Sequence, residues 1–284
     1  MAGQVSAAET PNWISALSGI QESPLWDRVE VAVSTACEAG KLALELSYNE
    51  RELLHSMKNA HDFLSVADEA VEQLILERIG QRAPSHDTIV AEELGGSPGE
   101  SVWVVDPIDG TANYVNRLPD WCISIAYVQD AVEEIAVVFA PVLKQLFVAV
   151  RGYGASMNGT RIRVATDVPI DRAIIEIDTD ATLPAEQFRS LVLGVLDAGL
   201  DFRRHGAAAL ALARVAAGYR HAFVDLHSKP WDALAGVLLV REAGGWTNSF
   251  VDDVWRNSGN PVVGCSPVLL EVLSSIPSLA HVFE

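Results

Sequence analysis

The residues of this chain that could do chemistry are mainly acids. Asp106 and Asp109 stand three residues apart in Asp106-Pro107-Ile108-Asp109-Gly110-Thr111, directly after the apolar run Val102 to Val105. Pro107 restricts the backbone and Gly110 tolerates a positive φ, so the segment reads as a tight turn presenting two carboxylates to one point. If a helical turn begins there, free amides of Gly110 and Thr111 would face an anion beside those carboxylates. Glu92 and Glu93 follow Ile89-Val90, and adjacent buried acids repel one another unless a cation joins them. Asp232, in Lys229-Pro230-Trp231-Asp232, opens another apolar run. Each feature alone has a plainer reading: an Asp-Gly turn, a solvated Glu-Glu loop, a carboxylate at a helix start. Together they are the oxygen donors that a hard divalent cation prefers. His61, His86, His205, His221 and His227 read as isolated, so no zinc cluster competes.

The elements that must position these acids follow from periodicity. Apolar residues recur at helical spacing from Asp27 to Tyr48 and from Val66 to Ile79. Short β-rich runs then cover Thr88 to Val90, Val102 to Val105, Cys122 to Val128, Ile135 to Phe139 and Gln145 to Val150, close enough together to suggest antiparallel pairing. Later strands are expected at Ala173 to Ile177 and Phe202 to Arg203, with helices at Ala185 to Ala198, Ala207 to Ala217 and Trp231 to Ala243. This order predicts an α+β or mixed α/β layered sandwich. We divide it into a loosely held extension at residues 1–25, an α+β part at 26–150 with most of the acids, and an α/β part at 151–284 that supplies Asp232, the last two forming one compact unit.

Composition limits the function further. The 284 residues are 49% apolar and 20% charged, enough to bury a sizeable core, and carry a formal net charge of −18. That field repels phosphate backbones and anionic membrane surfaces, so neither nucleic acid nor membrane is expected as a partner. Cys37, Cys122 and Cys265 are odd in number and far apart, which fits a reducing compartment. With no basic start and no apolar run near the ~18 residues of a membrane span, a cytoplasmic protein is expected.

The motifs also carry a resemblance. Glu92-Glu93, Trp103-Val-Val-Asp106-Pro-Ile-Asp109-Gly-Thr111-Ala-Asn113-Tyr-Val and Trp231-Asp232-Ala-Leu-Ala-Gly236, followed by Glu242-Ala-Gly-Gly245, resemble the inositol monophosphatase family of magnesium-dependent phosphatases. Asp62-Phe-Leu-Ser-Val-Ala-Asp68 and Gly152-Tyr-Gly-Ala-Ser-Met-Asn158-Gly159 add to it. The resemblance implies an αβαβα sandwich and two or three Mg²⁺ ions. Glu92, Asp106 and the Ile108 carbonyl would hold one ion, and Asp106, Asp109 and Asp232 a second. Thr111, oriented by Asp68, would position and deprotonate the attacking water, with Glu92 contributing through its metal and Glu93 standing behind. Asp109, Gly110, Thr111, Gly206, Ala207, Ala208 and Asp225 would meet the substrate. It further implies in-line hydrolysis of a small polyol phosphate, myo-inositol 1-phosphate first, together with lithium sensitivity and a homodimer. The chemistry agrees: a phosphate monoester dianion repels hydroxide, so its hydrolysis needs cations.

Three places depart from the family pattern. Gly206-Ala207-Ala208-Ala209 stands where Gly-Ser/Thr-Ala-Ala is common, removing a hydroxyl. Asp225, seven residues before Asp232, replaces a longer Glu. Asp178-Thr-Asp180-Ala-Thr replaces a Gly-Phe-Pro type of stretch. Beside these, Arg203 or Arg204 could approach a phosphate or a neighbouring subunit. Histidinol phosphate, sugar bisphosphates such as fructose 1,6-bisphosphate, nucleotide 3′-phosphates and a regulatory binding role are the alternatives.

Overall fold

The computed structural model describes residues 19–48, 56–59, 62–64, 66–179, 182–250 and 259–283. Residues 1–18 of the expected extension, His61, Asp180 and Ala181 lie outside them. Helices α1 (Trp26–Ser47) and α2 (Val66–Arg82) flank the hairpin β1 (Ser56–Asn59) and β2 (Asp62–Leu64). The chain continues through β3 (Thr88–Ala91), β4 (Gly95–Gly96), β5 (Ser101–Asp109), α3 (Thr111–Val115), β6 (Cys122–Gln129), β7 (Val132–Ala140), β8 (Gln145–Val150), β9 (Gly154–Met157) and β10 (Thr160–Arg161). Then come β11 (Ile174–Asp178), α4 (Ala185–Asp197), β12 (Asp201–Arg203), α5 (Ala208–Ala216), β13 (Ala222–Ser228), α6 (Pro230–Glu242), β14 (Trp246–Thr247), β15 (Asn260–Cys265) and α7 (Leu270–Ser274).

An eight-stranded sheet runs β10-β9-β8-β7-β6-β5-β3-β4 and a five-stranded sheet runs β12-β11-β13-β15-β14. Strand periodicity decides what lies on each face. Trp103 and Val105 of β5, and Ile123, Ile125 and Tyr127 of β6, pack with the buried faces of α1 and α2. Val102 and Val104, with Cys122, Ala126 and Val128, point the other way into a core shared with α5 and α6. The five-stranded sheet covers the far side of those helices, and its outer face packs Ile175, Ile177, Val224 and Val263 against Leu191 and Val195 of α4 and Leu273 of α7. The result is five layers, α-β-α-β-α.

The middle layer is thin because its residues are small. A Cβ on Gly236 of α6 would run into the Leu212 side chain of α5, so the two helices cross in close contact. Family blocks far from the acids also acquire a reason here. Glu242, at the end of α6, accepts from the amides of Gly152 (2.9 Å) and Gly154 (2.8 Å), fastening the β8–β9 turn.

Three readings need correction. The first sheet is not wholly antiparallel, because β3 and β5 pair parallel, Thr88 opposite Val102 through Ala91 opposite Val105. The chain leaves β3, folds back along its outer edge as β4, and re-enters on the inner side. The apolar runs at β13 and β15 are strands that the periodicity reading did not mark. Ile20, within the extension expected to be loosely held, is buried in the α1–α2 core. Among the described residues no helix is long and apolar enough to cross a membrane.

Candidate active site

Asp106 and Asp109 do not leave the strand in a tight turn; both stay within β5. Asp106 pairs with Ser124 and Asp109 with Cys122, so three steps on β5 match two on β6. One extra residue is a β-bulge, and it changes the facing of everything after it. Strict alternation would send Asp109 toward α1 and α2, opposite to Asp106. The bulge returns it to the α5–α6 side, where Cys122 belongs to that core and Ser124 Oγ donates to the Trp231 carbonyl of α6 (3.0 Å). Pro107 suits a bulge, having no N–H to leave unpaired. The Ile108 N–H donates to Asp106 Oδ1 (2.9 Å), and the Ile108 carbonyl accepts from Thr111 Oγ1 (3.0 Å).

Gly110 follows at φ 90, ψ 41 and starts α3. A Cβ there would lie 3.0 Å from both Ala207 Cβ and the Asp120 carbonyl, so glycine is required by conformation and by space. Asn113 Nδ2 spans the same joint, donating to the carbonyls of Asp120 (2.6 Å) and His205 (2.5 Å). The first half of the site is thereby tied to the Gly206-Ala207-Ala208 segment.

The hydroxyl missing at Ala207 has a replacement. Helix α5 has Ala207 as its N-cap with no capping side chain, and Asp109 caps it instead, accepting from Ala208 N (2.9 Å) and Leu210 N (3.2 Å). Asp232 sits in the first turn of α6 and accepts from Lys229 N (3.2 Å). Thr111 Oγ1 lies 3.3 Å from Asp68 Oδ1, so the residues expected to handle water are adjacent. Asp178, the last residue of β11, is the register neighbour of Asp225 in the middle of β13. Asp225 accepts from His227 N (2.9 Å).

The charges of these groups press on one another. Burial raises Asp106 well above the ordinary carboxylate range, and the charges of Glu92, Asp109, Asp232 and Asp68 push it further. Burial likewise raises Asp232, helped by Glu92, Asp109 and Asp225 and eased by the Lys229 amide. Asp109 is raised to about 6, chiefly by burial, against donors from Cys122, Leu210 and Ala208 and with Asp178 adding to the rise. Among the described residues no three acidic, histidine or cysteine side chains are drawn together at ion-holding distance; the carboxylates take backbone donors. The donor set nonetheless fits a hard divalent cation: oxygen donors, buried on β5 and half-buried on α6 and just past β3, each raising the others' affinity for positive charge.

Arg204 was a candidate phosphate contact; it pairs with Asp178 (3.2 Å) and lies over the Phe188 ring, while Arg203 pairs with Asp201 (2.8 Å). His205 is not isolated. Its Nδ1 stands 3.1 Å from buried Glu176, which also meets Arg220 at 3.0 Å. Sequence reasoning missed Glu72. This fully buried acid of α2 accepts from Glu93 N (2.9 Å) and Leu94 N (2.7 Å), and the available signal was its place one helical turn after Asp68.

An αβαβα sandwich that gathers buried carboxylates where β5, α5 and α6 meet, beside a threonine on an aspartate, is the architecture of a phosphatase superfamily. The chain belongs to the inositol monophosphatase family, whose model matches residues 26–265. It is 37% identical to the Nus factor SuhB of Escherichia coli K12 over 256 residues, 87% of this chain and 95% of that one. Among solved structures, SuhB from Bartonella henselae aligns with TM-score 0.78 at 28% identity, covering 86% of this chain and 96% of that one. An inositol monophosphatase, SaIMPase-II, solved with inositol monophosphate bound, aligns with TM-score 0.70 at 25% identity, covering 89% and 95%.

Proposed function

We propose that the protein is a Mg²⁺-dependent phosphomonoesterase acting on a small polyol phosphate, with myo-inositol 1-phosphate as the lead substrate. The observation that carries this reading is the mutual electrostatic pressure among buried Asp106 and Asp109 and half-buried Asp232, with Glu92 contributing to it, beside the Thr111–Asp68 pair. Glu92, Asp106 and the Ile108 carbonyl would hold one ion, and Asp106, Asp109 and Asp232 another. Bound there, Mg²⁺ would supply neutralisation of phosphate oxygens and a lowered water pKa.

The chain's own residues would do the rest. Asp68 takes the Thr111 hydroxyl proton into a hydrogen bond, leaving the Thr111 oxygen to accept from a water and aim it. The same proton also faces the Ile108 carbonyl, 3.0 Å from Thr111 Oγ1, so the hydroxyl is oriented by two acceptors that share it. Asp109 holds the start of α5 in place, keeping Gly206, Ala207 and Ala208 against the leaving group, and Asp225 offers a carboxylate to polyol hydroxyls. The family membership and the inositol monophosphate held by SaIMPase-II support this substrate class.

The test is phosphate release from myo-inositol 1-phosphate, histidinol phosphate, fructose 1,6-bisphosphate and adenosine 3′,5′-bisphosphate, with and without Mg²⁺. A Mg²⁺-dependent preference for the inositol ester, inhibited by millimolar Li⁺, is expected. Absence of Mg²⁺-dependent release from all four would overturn the reading. The kinship with a Nus factor favours a second role in a transcription complex, which an Asp106→Asn protein would retain in cells. A homodimer belongs to the same proposal, and light scattering on the purified chain tests it.

A further inference from the structure

We infer that Glu72 is a positioning residue for the Glu92 carboxylate, so that α2 aligns the metal-binding and water-handling parts of the site from one rigid element. The inference rests on the proposed metal role of Glu92. It starts from the backbone around Glu92, which is held on both sides. The Glu92 N–H donates to the Val105 carbonyl of β5 (3.2 Å), continuing the β3–β5 pairing one residue past β3. The next two amides, of Glu93 and Leu94, turn away from the sheet and donate to the two oxygens of Glu72, Oε2 at 2.9 Å and Oε1 at 2.7 Å.

A carboxylate with one oxygen on each of two successive N–H groups defines the plane and distance of the turn, and charge-assisted bonds of this length are the stronger kind. Glu72 is fully buried, so water does not compete for these bonds. Asp68 lies four residues earlier on α2, on the same face, and meets Thr111 Oγ1 (3.3 Å). A helix does not stretch, so the separation between the Thr111 hydroxyl and the Glu92 turn is set by one turn of α2.

Glu72→Gln isolates this role. Gln keeps the shape but presents one acceptor and one NH₂, so one of the two amides loses its partner and faces another donor. The readout is Mg²⁺ binding to the full chain by titration calorimetry, with no substrate present. The expected result is Mg²⁺ affinity weaker by about ten-fold or more, the usual effect of losing a group that orients a ligand. Turnover at saturating Mg²⁺ should fall by less than about three-fold and the KM for substrate should hold, by the same reasoning.

A double-mutant cycle with Glu92→Gln separates positioning from general support. If Glu72 acts through Glu92, adding Glu72→Gln to Glu92→Gln changes Mg²⁺ affinity by less than about two-fold. Full additivity, or wild-type Mg²⁺ affinity in Glu72→Gln, would overturn the inference. Should Glu72→Gln not fold, Glu72→Asp keeps both acceptors one methylene farther back and takes its place in the cycle, with an intermediate loss expected. A wild-type protein that neither binds Mg²⁺ nor releases phosphate defeats the proposed function itself. A wild type that does both, beside an unaltered Glu72→Gln, defeats only this inference.

Discussion

Removing divalent ions should make this protein more stable in mild acid than at neutral pH, the reverse of the usual trend. Asp109 allows the size of the effect to be worked out. Burial holds its carboxyl at about 6 in the folded chain, against an ordinary 3.8. The folded state therefore grips the proton more tightly than the unfolded one. The resulting stability is fully present below about pH 3.8 and is lost as the pH rises through about 6. A rise from 3.8 to about 6 is worth about 3 kcal/mol in all, of which about 1.4 kcal/mol falls between pH 5 and pH 7.5. Asp106 and Asp232, raised by burial and by their acidic neighbours, add in the same direction. The assay is urea unfolding in EDTA at about pH 5 and about pH 7.5. Wild type should be the more stable at the lower pH by at least about 1.4 kcal/mol, and Asp109→Asn should narrow the gap by about that amount. Comparison with the variant cancels other groups that titrate in the window, such as His221, whose pKa burial lowers. At about pH 7.5, Mg²⁺ at about 100 times its Kd should restore about 2.7 kcal/mol. Equal stability at both pH values in EDTA, or a gap unchanged in Asp109→Asn, would refute the charge geometry.

Other substitutions probe the joints of the site. Asn113→Ala deprives the Asp120 and His205 carbonyls of their shared donor; a loss of about 2 kcal/mol in urea unfolding and a raised KM are expected. Gly110→Ala forces a Cβ to 3.0 Å from Ala207 Cβ at a positive φ, so Mg²⁺-dependent turnover should fall by about ten-fold or more, with about 1 to 2 kcal/mol of stability, measured by kinetics and thermal unfolding together. Arg204→Ala removes an ion pair whose arginine is about half exposed; stability should change by less than about 1 kcal/mol, while the ratio of activities on an inositol ester and on p-nitrophenyl phosphate should shift if the Asp178 wall touches the polyol.

Much of the layout could be read from residue order. The helices α1, α2, α4, α5 and α6 follow from apolar spacing, because each buries one broad face or lies wholly inside. The strands β6, β7 and β8 were visible because their runs are long and bounded by turn residues. β13 and β15 were not marked: Ala222 to Ser228 carries Asp225 and His227 among its apolar residues, and Asn260 to Cys265 carries Pro261 and Gly264. The bulge in β5 was hidden for a related reason, since Pro107 and Gly110 signal a turn as readily as a bulged strand. The grouping of Asp106, Asp109 and Asp232 came through the resemblance rather than through periodicity. Glu72 escaped because its partners are backbone amides more than twenty residues away, and amides leave no trace in side-chain chemistry.

The extra residue in β5 changes what kind of part the main chain plays. In an unbroken ladder the peptide groups between two such aspartates would be spent on the neighbouring strand. Here the peptide of Ile108 turns inward, its N–H on Asp106 and its carbonyl on Thr111. An acid replaced by another acid can be accommodated by a small shift, but no side chain substitutes for a missing peptide unit. Shortening this segment by one residue would leave both aspartates on the same face and still remove the inward-facing carbonyl. For this protein, the length of the segment is as much a heritable property of the site as the identity of its acids.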